Sequence, residues 1–180
     1  EIDHVVENAT SDPASDYYPY DWTDFQSNYV ELMVEKIDLV GIFKPVCKKY
    51  GVAISNRRGW GDINSNAALM RRFRDWQNKG KNCVLLYCGD HDPGGLFISD
   101  LIRKNLSDLS GAVGWSPDNI TIDRFGLNYD FIQSHDLTWI DNLETSGRDE
   151  DGNPRHLDDE NHNDHNKPYV KNYIDTYGVR

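Results

Sequence analysis

The central stretch of the chain, residues 82–95, reads Asn82-Cys83-Val84-Leu85-Leu86-Tyr87-Cys88 and then Gly89-Asp90-His91-Asp92-Pro93-Gly94-Gly95. The first half is the most hydrophobic run of the protein, and its length and composition predict a strand that is buried on both faces. In the second half, Pro93 favours a turn and the start of a helix, and the two glycines let the backbone pass close to a ligand. The stretch therefore predicts a buried strand that ends in two aspartates.

Strand-like and helix-like patterns alternate on both sides of this stretch. Further strands are predicted at 29–34, 52–55 and 120–125, and helices at 39–50, 65–79, 96–106 and 169–177, with a weaker helical region at 129–143. Near-continuous apolar strands that alternate with helices are typical of a parallel sheet covered on both faces. The predicted fold class is α/β, a Rossmann-like fold with a mainly parallel sheet of about four strands and helices on both faces.

Composition divides the chain into four parts. Residues 1–28 are polar and form an irregular acidic lead-in, residues 29–144 form the α/β domain, and residues 145–167 form a flexible acidic loop that also contains three histidines. Residues 168–180 are expected to form a C-terminal helix and the start of a further element, because the chain ends in a strand-like Gly178-Val179-Arg180. We therefore expect the chain to be a domain of a longer protein.

Charge and cysteine content narrow the function classes. The 30 acidic and 19 basic residues give a net charge of −11, which argues against a passive DNA coat, although the acids concentrate in the flanks and leave the middle mildly basic. No apolar run approaches the roughly 18 residues that a membrane helix needs, so no membrane partner is expected. Three cysteines without framework spacing predict a reducing, cytoplasmic location.

Carboxylates follow two of the predicted strands. Glu35 ends the first strand, and Asp90 and Asp92 follow the third. In parallel sheets, ligands gather at the carboxyl ends of the strands. Carboxylate oxygens at this spacing suit Mg²⁺ or Mn²⁺, and a third carboxylate beside the ion can act as general acid or base. The alternative interpretation is that Asp90 and Asp92 only mark the start of a helix, where aspartates are common.

The combination of these motifs resembles a known family. A strand that ends in Val34-Glu35-Lys36, followed some fifty residues later by a strand that ends in Asp-x-Asp-Pro-x-Gly from Asp90 to Gly95, looks like the Toprim domain of topoisomerases, primases and OLD-type nucleases. The version in the A subunit of topoisomerase VI is the most similar. The resemblance covers about residues 29–125. It implies a Rossmann-like fold in which an acidic triad holds Mg²⁺.

The resemblance also implies roles for the individual residues. Glu35 matches the family's glutamate, a general acid/base close to the metal, and Asp90 and Asp92 match the metal-binding pair. The pattern departs at Ile37, where the topoisomerase version commonly has aspartate; here Asp38 comes one residue later. The topoisomerase VI subunit carries its nucleophilic tyrosine in a domain ahead of the Toprim unit, and only about thirty residues precede Glu35 here. A partner domain or subunit would then have to supply that tyrosine.

Three basic residues are candidates for binding nucleic-acid phosphates. Lys36 follows Glu35, and Arg57 and Arg58 follow the second strand; the alternative for the arginines is an ordinary solvated loop. A zinc site in the acidic loop, formed by His162 and His165, is disfavoured because no cysteine accompanies the two histidines.

We therefore expect an Mg²⁺-dependent Toprim domain that acts on nucleic-acid phosphodiesters, with DNA as partner and nuclease- or topoisomerase-type cleavage as its activity. A nucleoid-associated location would follow from that activity. The first alternative is a non-catalytic metal- and DNA-binding module of a topoisomerase VI-like protein. The second is a small-molecule phosphohydrolase on a similar sheet, since the chain lacks an extended basic stripe.

Overall fold

The computed structural model describes residues 22–56, 62–138 and 144–178. The helices and strands of these residues alternate along most of the chain. In chain order they are α1 (Trp22–Phe25), β1 (Asn28–Val34), α2 (Asp38–Lys49), β2 (Ala53–Asn56), α3 (Ile63–Asn78), β3 (Asn82–Gly89), α4 (Pro93–Asp108), α5 (Ser110–Val113), a 3₁₀ turn (Pro117–Asn119), β4 (Thr121–Gly126), α6 (Tyr129–Ser134), β5 (Glu144–Arg148), β6 (Pro154–His156) and α7 (Pro168–Tyr177).

Four strands form one parallel sheet in the order β2-β1-β3-β4. The two central strands pair along seven residues, from Asn28 beside Asn82 to Val34 beside Cys88. This sheet confirms the predicted α/β class and parallel arrangement, and all four predicted strands are present. Long apolar runs such as β3 become central strands because both of their faces need cover.

Helices cover the two faces of the sheet. On one face, α2 packs Phe43 and Cys47 against Leu32 and Val34 of β1. On the other face, α3 and α4 contribute most of a larger core, in which Leu69, Met70, Phe73, Ile102 and Leu106 surround Leu85 and Tyr87 of β3. Cys83 and Cys88, five positions apart on β3, belong to opposite cores, as strand alternation predicts. The fold is therefore Rossmann-like.

Local signals explain where most helices begin and end. Asp62 is the N-cap of α3, because its carboxylate accepts a hydrogen bond of 3.0 Å from the Ser65 N–H. The helical region predicted at 129–143 is shorter in the structure, where α6 ends at Ser134. Asp136 has a φ of 48°, a left-handed conformation that a helix does not continue through.

The predicted acidic loop 145–167 contains more regular structure than its composition indicates. β5 and β6 pair in antiparallel fashion around a turn in which the Asp149 carboxylate accepts hydrogen bonds from the N–H groups of Asp151 and Asn153. The polar sequences of these two strands give no alternation of apolar and polar residues, so the sequence pattern does not reveal them.

Within the ranges described, no helix is long and apolar enough to cross a membrane.

A buried carboxylate of the sheet pairs with an arginine that is itself partly exposed. Glu31, in the middle of β1, is 1% exposed. Arg72 of α3 reaches it with two hydrogen bonds, Nε to Oε1 at 2.7 Å and Nη2 to Oε2 at 2.8 Å, and the Tyr29 hydroxyl donates a third of 2.7 Å. Arg72 keeps 44% of its side chain exposed and still forms this pair, because the buried carboxylate 41 residues away in the chain requires a cation.

Replacing Arg72 by methionine is expected to lower the free energy of unfolding by about 2–4 kcal/mol, because the Glu31 carboxylate would stay buried without its cation. Chemical denaturation measures the change. Arg71→Met is the matched control, since Arg71 is the exposed neighbour on the same helix. Equal losses in the two variants would contradict the buried-pair assignment.

Candidate functional site

The order of the strands opens a crevice between β1 and β3. The chain leaves β1 toward α2, on one face of the sheet, and leaves β3 toward α4, on the opposite face. Two adjacent strands whose connections diverge in this way form a topological switch point, where Rossmann-like folds bind their ligands. Glu35 and Asp90 follow directly after these two strands, so the fold places both carboxylates at this crevice.

Hydrogen bonds fix the side chain of Glu35. The side chain is 11% exposed, and Oε2 accepts hydrogen bonds from the Asp90 N–H at 3.0 Å and from the Tyr87 hydroxyl at 3.2 Å. The backbone is fixed too, since the Glu35 N–H donates to the Cys88 carbonyl at 2.9 Å and thereby extends the sheet by one residue. Glu35 is thus held at the end of β1, facing the turn that follows β3.

Lys36 joins the two carboxylates. Its ammonium lies 3.1 Å from Asp90 Oδ2 and 3.6 Å from Glu35 Oε1. The hydrogen bond that its ammonium donates to Asp90 raises the pKa of Lys36, and the negative charges of Asp90, Glu35 and Asp92 act in the same direction. Lys36 therefore carries its positive charge throughout the neutral range. More than half of its side chain is exposed, so the ammonium also faces solvent.

Asp92 performs a structural task in this arrangement. Its Oδ1 accepts a hydrogen bond of 2.6 Å from the Gly95 N–H, which makes it the N-cap of α4. The alternative interpretation, in which Asp92 marks a helix start, is therefore the one that its contacts in the structure match. Its side chain is exposed at the same crevice, and it contributes to the negative field that acts on Lys36.

Gly95 allows α4 to begin close to the turn. A Cβ at this position would lie 2.3 Å from the Asp90 carbonyl oxygen and 3.2 Å from Glu35 Oε2. No side chain fits there, which gives the Pro-x-Gly pattern of the sequence a direct steric reason. The first turn of α4 consequently lies against both carboxylate-bearing residues.

Two side chains from distant elements hold the turn after β3. Arg124, on β4, donates to the carbonyls of Gly89 at 3.0 Å and Asp90 at 2.7 Å. Tyr173, on α7, donates to the His91 carbonyl at 3.1 Å; burial raises the pKa of Tyr173 to about 12, so the phenol keeps its proton. Sequence reasoning missed both residues, since no local motif marks an arginine or a tyrosine that binds a backbone 34 or 82 positions away.

His91 points away from the carboxylates and into an aromatic cluster. Its ring lies 4.8 Å from the Tyr177 ring and 5.8 Å from the Tyr173 ring, between centroids. Burial, and then the charge of Arg124, lower the pKa of His91. The imidazole is therefore neutral near pH 7, and its surroundings indicate a packing role.

The remaining predicted residues lie elsewhere. Arg57 and Arg58 are outside the described residues. His162 is buried, and its Nδ1 accepts a hydrogen bond from the Asp164 N–H at 2.9 Å, while His165 Nδ1 lies 2.9 Å from the Leu157 carbonyl. These two histidines thus stabilise the turns of the segment between β6 and α7.

The carboxylates of the crevice are the type of ligand that a hard divalent cation prefers, but their side chains are not arranged around a common point. Among residues 22–56, 62–138 and 144–178, no three His, Cys, Asp or Glu side chains are arranged to hold a metal ion. Glu35 and Asp90 supply oxygen ligands of the type that Mg²⁺ prefers, and the Gly95 cradle keeps the space beside them free of side chains. Lys36 contacts oxygens of Glu35 and Asp90, and the Gly95 N–H donates to an oxygen of Asp92, so an ion would compete with these groups for the carboxylates.

The substitution Gly95→Ala is expected to lower the free energy of unfolding by about 1–3 kcal/mol, because the new methyl group would overlap the Asp90 carbonyl. Thermal or urea denaturation measures the loss. Gly94→Ala is the control, since a Cβ there meets only Asp92 Oδ1 at an ordinary 3.4 Å. If both variants were as stable as the parent protein, the close approach of α4 to the turn would be refuted.

Comparisons of the chain with protein-family models, with characterised proteins and with solved structures find no match. The resemblance to the Toprim domain therefore rests on the motifs of this chain alone.

Proposed function

We propose that this protein is an Mg²⁺-dependent, Toprim-like domain that acts on nucleic-acid phosphodiesters, with DNA as its substrate. The observation that supports this most is the convergence of Glu35 and Asp90 at the topological switch point, joined by a hydrogen bond of 3.0 Å. Two carboxylates, a lysine and a glycine-walled helix start at one crevice form a donor set suited to a metal ion and a phosphate together.

The residues of the crevice have different tasks in this proposal. Glu35, Asp90 and Asp92 hold the ion, and Glu35 also gives or takes the proton of the attacking or leaving oxygen. When bound, the ion polarises a phosphoryl oxygen and offsets the negative charge that develops there. The Tyr87 hydroxyl and the Asp90 N–H orient the Glu35 carboxylate through their hydrogen bonds to Oε2.

Lys36 is the residue proposed to meet the phosphate of the strand. Its ammonium is charged and more than half exposed, and it already lies among the carboxylates. Exchange of a carboxylate partner for a phosphate oxygen would cost little, because both are charged hydrogen-bond acceptors. Arg57 and Arg58 remain candidates for further phosphate contacts.

A second candidate is a metal- and DNA-binding module without cleavage activity of its own, whose nucleophilic tyrosine lies in another domain or subunit. Three contacts favour it. Lys36 occupies oxygens of Glu35 and Asp90, and Asp92 caps α4. A site with these contacts can dock a phosphate without supplying an attacking group.

Cleavage of plasmid and single-stranded DNA with Mg²⁺ or Mn²⁺ separates the two candidates. In the first, Glu35→Gln and Asp90→Asn each reduce the cleavage rate by on the order of 10²–10⁴-fold, because proton transfer or metal binding is lost. Asp38→Asn is the matched control: it removes an exposed acid three residues after Glu35 and should leave the rate unchanged.

Absence of cleavage in the parent protein, with metal-dependent DNA binding that Asp90→Asn abolishes, would favour the non-catalytic module. Metal-dependent hydrolysis of a free nucleotide without any action on DNA would instead favour the small-molecule phosphohydrolase. Cleavage that survives in both variants would refute the site.

Lys36→Met is expected to change metal and DNA affinity in opposite directions. Loss of the ammonium beside two carboxylates should tighten Mn²⁺ binding by about 3- to 10-fold, whereas loss of a phosphate contact should weaken DNA binding and its salt dependence. Isothermal titration with Mn²⁺ and fluorescence anisotropy with labelled DNA measure the two affinities.

Lys44→Met, which removes an exposed lysine of α2, is the control for the change in net charge. If Lys36→Met shifted both affinities no more than Lys44→Met does, Lys36 would have no part in the site.

A further inference from the structure

A pocket of about 420 Å³ lies beside the candidate site, on the face of the sheet that α3 covers. The end of β1, the end of β2 and the first turns of α3 form its walls. Met33, Ile37 and Leu69 give it apolar sides, while Ser55 and Asn66 are polar groups in its lining. The volume lies within the range that small-ligand pockets occupy in proteins.

One polar group of the pocket is buried and lacks a partner among the described residues. The Ser55 hydroxyl oxygen is shielded from solvent and has no hydrogen bond within that part of the chain. Folded proteins pair nearly all of their buried polar groups, since leaving one unpaired costs stability. The Ser55 hydroxyl is therefore positioned for a ligand, and Asn66, which is only 5% exposed, contributes a second polar side chain to the same lining.

The charged residues of the pocket are already satisfied. Asp62 accepts hydrogen bonds from the N–H and the hydroxyl of Ser65, and Arg72 is paired with Glu31. The capping carboxylate also places negative charge at the start of α3, which disfavours a phosphate there. The groups left for a ligand are consequently the neutral hydroxyl of Ser55 and the neutral side-chain amides of Asn56 and Asn66, between the apolar walls.

A nucleobase matches this combination. Its flat faces are apolar, and its edge carries adjacent hydrogen-bond donors and acceptors. An asparagine amide presents one acceptor and two donors in a plane and pairs with such edges, and unstacked bases of single strands are bound in this manner. A hydroxyl such as that of Ser55 can donate to or accept from the same edge.

The pocket is well placed to serve the site. Met33 and Ile37, which line it, lie two residues before and two residues after Glu35. Met33 belongs to the core on the α3 face, and the hydrogen bond from Tyr87 of that core brings the Glu35 carboxylate to the same face. The pocket and the carboxylates thus share one edge and one face of the sheet.

We propose that this pocket binds an unstacked nucleobase next to Glu35 and Asp90. The inference deepens the proposed function and rests on it for one point only, that the base belongs to a nucleic-acid strand. Binding itself requires no metal ion and no cleavage chemistry.

Nuclear magnetic resonance of the ¹⁵N-labelled full chain tests the proposal in the presence of a metal chelator. The Asn66 side-chain amide signal, assigned by its loss in Asn66→Leu, is followed while the natural nucleosides or short single-stranded oligodeoxynucleotides are added. A saturable shift of this signal is expected. Asn66→Leu should weaken binding by about tenfold, and Asn78→Leu, at the exposed far end of the same helix, should not.

Ser55→Ala guards against a folding defect, because it removes a hydroxyl that has no partner among the residues described and should leave the melting temperature unchanged or higher. The same variant should weaken base binding by about 3- to 10-fold. A ligand role predicts both effects together, whereas a purely structural hydroxyl would lower stability when removed and leave binding unaffected.

The outcomes are distinct. A shift with oligonucleotides alone supports binding of a base that belongs to a strand. A shift with free nucleosides as well supports the pocket and shows that a free nucleoside can also supply the base. A shift in a protein that cleaves no DNA supports the pocket and refutes the cleavage activity. An Asn66 signal that does not move at saturating additions, or binding unaffected by both Asn66→Leu and Ser55→Ala, overturns the proposal.

Discussion

β1 and β3 pair in parallel from Asn28 beside Asn82 to Val34 beside Cys88, and the hydrogen bond from the Glu35 N–H to the Cys88 carbonyl carries the pairing one residue further. This register places the Glu35 side chain against the Asp90 N–H. A slip by one residue would turn every side chain of β1 to the other face and would take Glu35 away from the turn. Glu31 strengthens the register, because it must face Arg72 of α3 and cannot face the apolar core under α2.

Several residues of the crevice serve the fold and the site together. Asp92 caps α4, Gly95 lets that helix approach the Asp90 carbonyl, and Arg124 and Tyr173 hold the same turn from β4 and α7. The turn is therefore supported from three elements. Such support keeps carboxylates in a fixed geometry, which is what a site for charge stabilisation needs.

Charge balance is the other constraint on the crevice. Glu35 and Asp90 approach each other closely, and Lys36 offsets their mutual repulsion with an ammonium that lies within 3.6 Å of both. The same ammonium would compete with a metal ion for these oxygens and would attract a phosphate. The two roles proposed for the protein thus depend on one equilibrium, in which Lys36 binds either its own carboxylates or the strand.

Local patterns were enough to predict the four strands, the helices between them and the parallel sheet. The buried run at 82–88, with Asp90, Asp92, Pro93 and Gly95 after it, also identified the strand end where the candidate site lies. These predictions succeed because periodicity and turn residues act within a few positions of the chain. The short strands β5 and β6 were not foreseen, since their polar sequences carry no such signal.

The tertiary structure decided what the remote residues do. Arg72 resembles its neighbour Arg71 in sequence, yet of the two only Arg72 reaches Glu31. Nothing local distinguishes Arg124 or Tyr173 from the other arginines and tyrosines of the chain. The pocket that contains Ser55 and Asn66 likewise exists only where β1, β2 and α3 meet. The sequence by itself determined the four strands of the parallel sheet, the helices between them and the position of Glu35, Asp90 and Asp92 at the strand ends. Only packing determined which side chains meet, because contacts between distant positions depend on strand register and helix rotation, which no local pattern encodes.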